Sequence, residues 1–244
     1  MMTEAAYKLN IDVVILEKNK FCPAASLCKE IIFSDFNDTD ALSYLGKTCE
    51  VFTVESENIP IKSLKFLSKF GEVKPGTNCI EICQDRIKEK SFLEEISLPI
   101  VPFSLIDSTE VISVVSENLF PGILKTSRFG YDGKGQVHVY NKNELLTAYE
   151  KLGKVDCILE KKINLDKEIS IILVRNSNGK IASYPPAENI HENGILKTSF
   201  MPCKLKKNFL LEAFEYASRI ADKLNYCGVM CVEFFFSDEK LFVN

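Results

Sequence analysis

Histidine is scarce in this chain, and cysteine never takes a metal-binding spacing. Only His138 and His191 occur in 244 residues, and the nine cysteines, scattered from Cys22 to Cys231, include no C-x-x-C pair. Cys79/Cys83 and Cys227/Cys231 have no nearby histidine or further cysteine to complete a zinc set. The odd, dispersed set also argues against a disulfide framework and fits the reduced thiols of a cytoplasmic protein. No apolar run approaches the ~18 residues of a membrane span, and no signal-peptide pattern opens the chain. The net charge is only -4, so there is no global attraction to nucleic acid or an anionic membrane, and neither is expected as a partner. Any phosphate ligand must be held by a local basic site.

Hydrophobic residues make up 46% and charged residues 26%, an ordinary globular balance at a length that suggests more than one compact unit. Residues 1–78 alternate short apolar runs with helical spacing. "DVVILE", "EIIFSD" and "VFTVESE" read as strands. "TDALSYLG" and "IKSLKFLSKFG" read as helices, each closed by a C-cap glycine. Such alternation predicts a parallel sheet with helices on its faces. The opening "MMTEAAYKLN" reads as a helix whose preceding strand is missing.

Residues 79–154 read as one long helix, "CIEICQDRIKEKSFLEEI", a proline break at "SLPIVPF", and a short helix "TEVISVVSENL". Then comes a small α+β lobe: strand "GILKT", a glycine loop, strand "QVHVY", helix "NELLTAYEKLG" and strand "CILEK". Residues 155–244 predict a larger mixed or antiparallel sheet. One hairpin turns across Asn178-Gly179, helix "LLEAFEYASRIADKLN" follows, and "GVMCVEFFFS" with "KLFVN" forms a second hairpin. The chain stops inside that last strand, so both ends read as cut.

Four stretches could carry chemistry. In "GILKTSRFGYDGKGQ", Gly130, Gly133 and Gly135 leave backbone N–H groups open to phosphate oxygens. The spacing fits neither the Walker nor the Rossmann fingerprint, which leaves a lid that folds over phosphates or a plain Asp-Gly turn. Lys125, on the strand entering the loop, could reach those phosphates or be a solvated edge residue. Glu233 is the only charge in "GVMCVEFFF", and on a buried strand it must be paired or bind a metal such as magnesium. In "LEKKINLDKEISI", Glu160, Lys161 and Ile163 could face an adenine edge and Glu168 a ribose, or the segment is a charged surface turn. "SYPPAENIHENGILKTSFMP" reads as a stiff polar loop carrying His191 as a ligand or as surface decoration. The repeated hexamer "GILKTS" (residues 122–127 and 194–199) has unlike flanks, whereas a structural repeat would share its pattern over about twenty residues.

Together these segments resemble 5-(carboxyamino)imidazole ribonucleotide synthase, an ATP-grasp enzyme of purine synthesis. "LKTSRFGYDGKGQ" is similar to the family's ATP loop, and "YPPAENIHENGILKTSFMP" to its distinctive downstream stretch. "GVMCVEFFF…LFVN" is similar to the run into its magnesium site, while "VFTVESENIP" and "PAASLCKEIIFSDFND" fit its N-terminal domain. The resemblance runs from about Glu4 to Asn244, and the second hexamer belongs to the family pattern.

The resemblance implies an ATP-grasp fold, α/β and α+β, preceded by an incomplete Rossmann-like pre-ATP-grasp domain. It divides the chain into that domain at 1–78, a linker helix and small lobe at 79–154, and a large lobe at 155–244. It implies a homodimeric carbon–nitrogen ligase that uses ATP, Mg2+ and bicarbonate to carboxylate aminoimidazole ribonucleotide through carboxyphosphate. By motif position, Arg86, Lys125, Phe129, Gly130, Gly133 and Gly135 would hold ATP phosphates. Glu160, Lys161, Ile163 and Glu168 would bind adenosine, and His191 would line the nucleotide site. Tyr131, Asp132 and Lys134 would face the ribonucleotide and carboxyphosphate, Glu57 the aminoimidazole, and Glu233 the magnesium. The family's first strand and glycine turn, its second magnesium glutamate and its substrate clamp have no counterpart here, so crippled turnover with residual nucleotide binding is the expectation. Two alternatives remain: another ATP-grasp ligase, such as a formate-using transformylase or biotin carboxylase, lacking "ENIHENGIL", and a non-catalytic nucleotide-binding or dimer-forming remnant.

Overall fold

The computed structural model describes residues 1–130, 134–192 and 194–244, and the chain divides into two units, Met1–Glu81 and Ile82–Asn244. The first begins with helix α1 (Met2–Lys8), strand β1 (Val14–Glu17), a 3-10 turn (Pro23–Ser26) and strand β2 (Glu30–Phe33). Helix α2 (Thr39–Thr48), strand β3 (Val51–Phe52), helix α3 (Ile61–Leu67) and strand β4 (Glu72–Val73) follow, and helix α4 (Thr77–Cys83) runs across the division. Strand–helix alternation is present, but as two separate parallel pairs, β1 with β2 and β3 with β4.

Two expectations in this unit are corrected. Gly46 is not a C-cap: α2 continues to Thr48, and a Cβ at Gly46 would lie 2.6 Å from Phe70 Cγ. Its small size serves packing rather than helix termination. The strand expected over "VFTVESE" is confined to Val51–Phe52. The last ladder bond is Lys74 N to Phe52 O at 2.8 Å, and the next residue, Pro75, has no N–H to continue it. Asp38 caps α2 by accepting from the amides of Asp40 and Ala41, and Leu42 and Leu45 join Phe52 and Leu67 in the core of this unit.

In the second unit the expected long helix is broken. Helix α5 (Arg86–Glu95) starts afresh after α4 because the Asp85 side chain accepts from Ile87 N at 3.0 Å, an N-cap in the middle of the expected run. The helix expected over 109–119 is likewise α6 (Thr109–Val114) plus a 3-10 turn (Glu117–Leu119). Strand β5 (Phe103–Ile106), hidden behind the proline break, joins β6 (Gly122–Thr126), β7 (Gln136–Val139) and β8 (Cys157–Lys161) in an antiparallel sheet. Its order is β5-β8-β6-β7. Helix α7 (Lys142–Lys151) seals its core through Leu145, Ala148 and Tyr149, packed with Leu124, Val139 and Leu159.

The larger sheet comprises β9 (Lys167–Arg175), β10 (Ile181–Ser183), β11 (Ala187–Glu192), β12 (Ile195–Phe200), β13 (Gly228–Ser237) and β14 (Lys240–Val243), with helix α8 (Lys207–Lys223) between β12 and β13. Its order is β12-β11-β9-β13-β14, with β10 also on β9. Alternation along β13 buries Val232, Phe234 and Phe236, and Phe236 meets Phe209 of α8 edge to face at 4.9 Å. The stretch expected to be a polar loop is instead the hairpin β11–β12, with Ala187 and Asn189 buried on β11. The two "GILKTS" copies differ accordingly: the first includes β6, inside the small sheet, and every residue of β12 is exposed.

Candidate active site

β6 and β8 run antiparallel with Ile123 opposite Glu160 and Lys125 opposite Ile158. Opposed and alternate residues share a face, so Lys125 and Glu160 emerge diagonally on one side of the small sheet. α5 packs against β8, and Arg86 and Lys90, one turn apart, point to the same side of that helix. Lys125 Nζ pairs with Glu160 Oε2, and Lys90 Nζ lies 2.9 Å from Glu160 Oε1. The Lys90, Lys125 and Glu160 side chains are 3%, 12% and 5% exposed.

Burial pushes the Glu160 carboxyl up, but Lys125 and Lys90 outweigh it and bring it down to about 2. Burial lowers Lys125 below the ordinary lysine value; Glu160 opposes this, and Arg86 and Lys90 add to it. Glu160 is the firmer anion because two ammonium groups face it. Half-buried Glu89 is pushed up to about 7, first by burial and further by Glu160, against the pull of Lys90, Arg86 and Lys125. Three cations therefore face one firm carboxylate and one that titrates near neutrality, an excess of positive charge suited to a polyanion.

The glycine loop is anchored at its base to the start of α5. Arg86 N donates to Ser127 O at 2.9 Å, Arg86 Nη2 reaches Gly130 O at 3.4 Å, and Arg128 Nη2 donates to the buried Gln84 Oε1 at 2.8 Å. Gly135 has φ +70 and a Cβ there would lie 2.6 Å from Thr126 Oγ1, while its carbonyl accepts from Thr126 N at 2.8 Å. No side chain fits that approach. Phe129 takes a positive φ of 60 and stays exposed, with the Arg128 guanidinium 5.5 Å from its ring.

From the large sheet come Glu168, His191 and Glu233. Glu233 lies opposite Ser170 on β9, so it shares a face with Glu168 two residues away. His191 Nδ1 is 2.9 Å from Glu168 Oε2. Burial raises the Glu168 carboxyl; His191 opposes the rise, Glu233 adds to it and Lys125 opposes it. These four side chains thus form one electrostatic neighbourhood spanning both sheets. The expectation that Glu233 is a buried charge is corrected: it is exposed, because α8 covers the other face of β13. Asn244 donates its amide to Glu233 O at 3.0 Å, and its Nδ2 lies 3.4 Å from Glu233 Oε2.

Lys161 ends β8, and Ile163 lies in the connection to β9, its backbone groups without a hydrogen bond among the described residues. Lys134 is exposed at the far side of the loop, and Glu57 is exposed on the first unit. Tyr131, Asp132 and Gly133 lie outside the described residues. Sequence reasoning missed Lys90 and Glu89. Their signal was the spacing D-R-x-x-x-K from Asp85, which an N-cap at Asp85 turns into one helical face, but "DRIKEK" reads as a solvated charge run until its helix is known to be covered.

A family model described as ATP-grasp domain matches residues 91–244, and one described as ribonucleotide synthetase preATP-grasp domain matches residues 1–84. The chain belongs to the ATP-grasp family, with a preATP-grasp domain before it. Within that class it is similar to N5-carboxyaminoimidazole ribonucleotide synthase of Staphylococcus aureus (strain COL), 35% identical over 100% of this chain and 65% of that protein. The crystal structure of N5-carboxyaminoimidazole synthetase from Staphylococcus aureus complexed with ADP superposes with a TM-score of 0.93 at 34% identity, covering 100% of this chain and 65% of that one. The N5-carboxyaminoimidazole ribonucleotide synthetase from Thermus thermophilus gives 0.91 at 31%, covering 100% and 66%. The chain thus spans about 65% of the length of the relatives it matches.

Proposed function

We propose that the chain serves ATP-dependent carboxylation of 5-aminoimidazole ribonucleotide, a step of purine biosynthesis. Bicarbonate oxygen attacks the γ-phosphorus of ATP, the bond to ADP breaks, and carboxyphosphate forms. The exocyclic amine then attacks the carboxyl carbon, phosphate leaves, and the carbamate loses a proton. The observation that carries this reading is the buried Lys90–Glu160–Lys125 chain beside Arg86, in a fold shared with a relative crystallised with ADP.

In this reading Lys125, Arg86 and the loop amides of Phe129, Gly130, Gly133 and Gly135 hold the phosphates, where cations spread transferring charge. Glu160, Lys161, Ile163, Glu168 and His191 take the adenosine end, and the open backbone of Ile163 supports an adenine-edge contact. Tyr131, Asp132 and Lys134 close over the intermediate, and Glu57 serves the aminoimidazole. Magnesium fits the residues present: exposed Glu233 offers a carboxylate, and Mg2+ is commonly held by one or two carboxylates plus phosphate oxygens and water. When bound it would neutralise phosphate charge. Division into a small lobe at 79–154 and a large lobe at 155–244 belongs to the same reading, with β8 (Cys157–Lys161) pairing with β5 and β6 in the small sheet. The nine free cysteines support a reducing cytoplasmic setting, and a homodimer is checked by sedimentation.

The test is ADP release by the purified chain with magnesium, ATP and bicarbonate, with and without the ribonucleotide. Release that rises with the ribonucleotide supports the reading. Release that ignores it, in a chain that binds ATP, overturns the substrate assignment.

A further inference from the structure

Lys90 is the most deeply buried cation of the cluster. Its side chain is 3% exposed and its Nζ is sealed from solvent, 2.9 Å from Glu160 Oε1 but out of hydrogen-bond alignment with any acceptor among the described residues. A buried ammonium is costly unless an anion compensates it, and the carboxylate that does so also pairs with Lys125. The three groups form a chain with one surplus positive charge. Sealed as it is, Lys90 cannot touch a ligand, yet it can decide where Glu160 sits. With both carboxylate oxygens fixed, Glu160 has no freedom to swing, and Lys125 is held at the end of β6 beside the glycine loop. Without Lys90, Glu160 would have one cation only and would close on Lys125 as a simple neutral pair, withdrawing the charge that phosphate needs.

We propose that Lys90 is a positioning residue of the nucleotide site, holding Glu160 so that Glu160 in turn presents Lys125 to phosphate. This rests on the adenine-nucleotide reading above. α5 supports the arrangement, since one helix brings Arg86 to Gly130 and, a turn later, Lys90 to Glu160. The two ends of the phosphate site are thereby set by a single rigid element.

The experiment is an ADP titration of the unmutated chain, Lys90→Met, Lys90→Arg, Glu160→Gln and the double variant. Lys90→Met should weaken ADP by about tenfold, the scale of one charge-assisted contact, and Lys90→Arg should recover part of the loss. In the Glu160→Gln background the Lys90→Met step should cost less than about twofold, since coupled residues are not additive. An equal loss in both backgrounds, or no loss while only thermal stability falls, overturns the proposal and leaves Lys90 structural. Should Lys90→Met fail to fold, lysine 15N NMR of the unmutated chain decides. ADP should shift the Nζ signals of both Lys125 and Lys90, and a shift at Lys125 alone overturns the proposal. An unmutated chain that binds no ADP removes the nucleotide reading itself, and this inference with it.

Discussion

Two lysines hold opposite oxygens of Glu160, and the carboxyl is brought down to about 2 although only 4% of the residue is exposed. The depression from 4.5 corresponds to about 3 kcal/mol in favour of the ionised form. That stability is present above the ordinary carboxylate pKa and is lost only as pH falls towards 2, so Glu160 stays a fixed anion at neutral pH. Glu89 behaves oppositely. Its folded pKa of about 7 lies above the ordinary 4.5, so between those values the folded state binds the extra proton and stability declines as pH rises. Glu89→Gln removes that decline. The variant should match the unmutated chain near pH 4 and exceed it above pH 7 by about 2 kcal/mol, after allowance for partial exposure. Denaturant melts at several pH values check this; parallel curves for the two proteins would contradict it.

At the scale of elements, α5 matters most, because its N-cap fixes the phase in which Arg86, Glu89 and Lys90 point. Asp85→Ala should cost about 1 kcal/mol of stability through loss of the cap and should weaken ADP binding as well, since the Arg86 amide is tied to Ser127 O at the loop base. Thermal melts and an ADP titration read the two effects. This helix also marks where the sequence is hard to read. β6, β7, α7 and β8 are legible because apolar runs there are bounded by glycine, asparagine and charge. The break at Asp85 is not, because an aspartate inside a charged helical run looks like one more solvated residue until its side chain is seen accepting from Ile87 N. β11 is obscured for another reason: its pattern A-E-N-I-H-E carries too little apolar alternation, and its strand identity comes from pairing with β9 and β12. Glu233 misleads because the sequence shows an apolar strand but not that only one of its faces is covered.

Over the whole molecule, the motifs were legible as a family because they recur in order along the full chain, and both family models match that order. Lys125, Glu160, Glu168, His191 and Glu233 come from five different strands in two sheets, and no local spacing relates them; only the fold brings them into one field. In the proposed function this field holds the phosphates of ATP. Its most direct test is a calorimetric titration of magnesium ATP into the unmutated chain and into Lys125→Met, which leaves Glu160 paired with Lys90 and so leaves no unpaired buried carboxylate. One site per chain is expected, weakened about tenfold or more in the variant by loss of a charge-assisted phosphate contact. Equal affinity in the two folded proteins, or no binding by the unmutated chain, would contradict it.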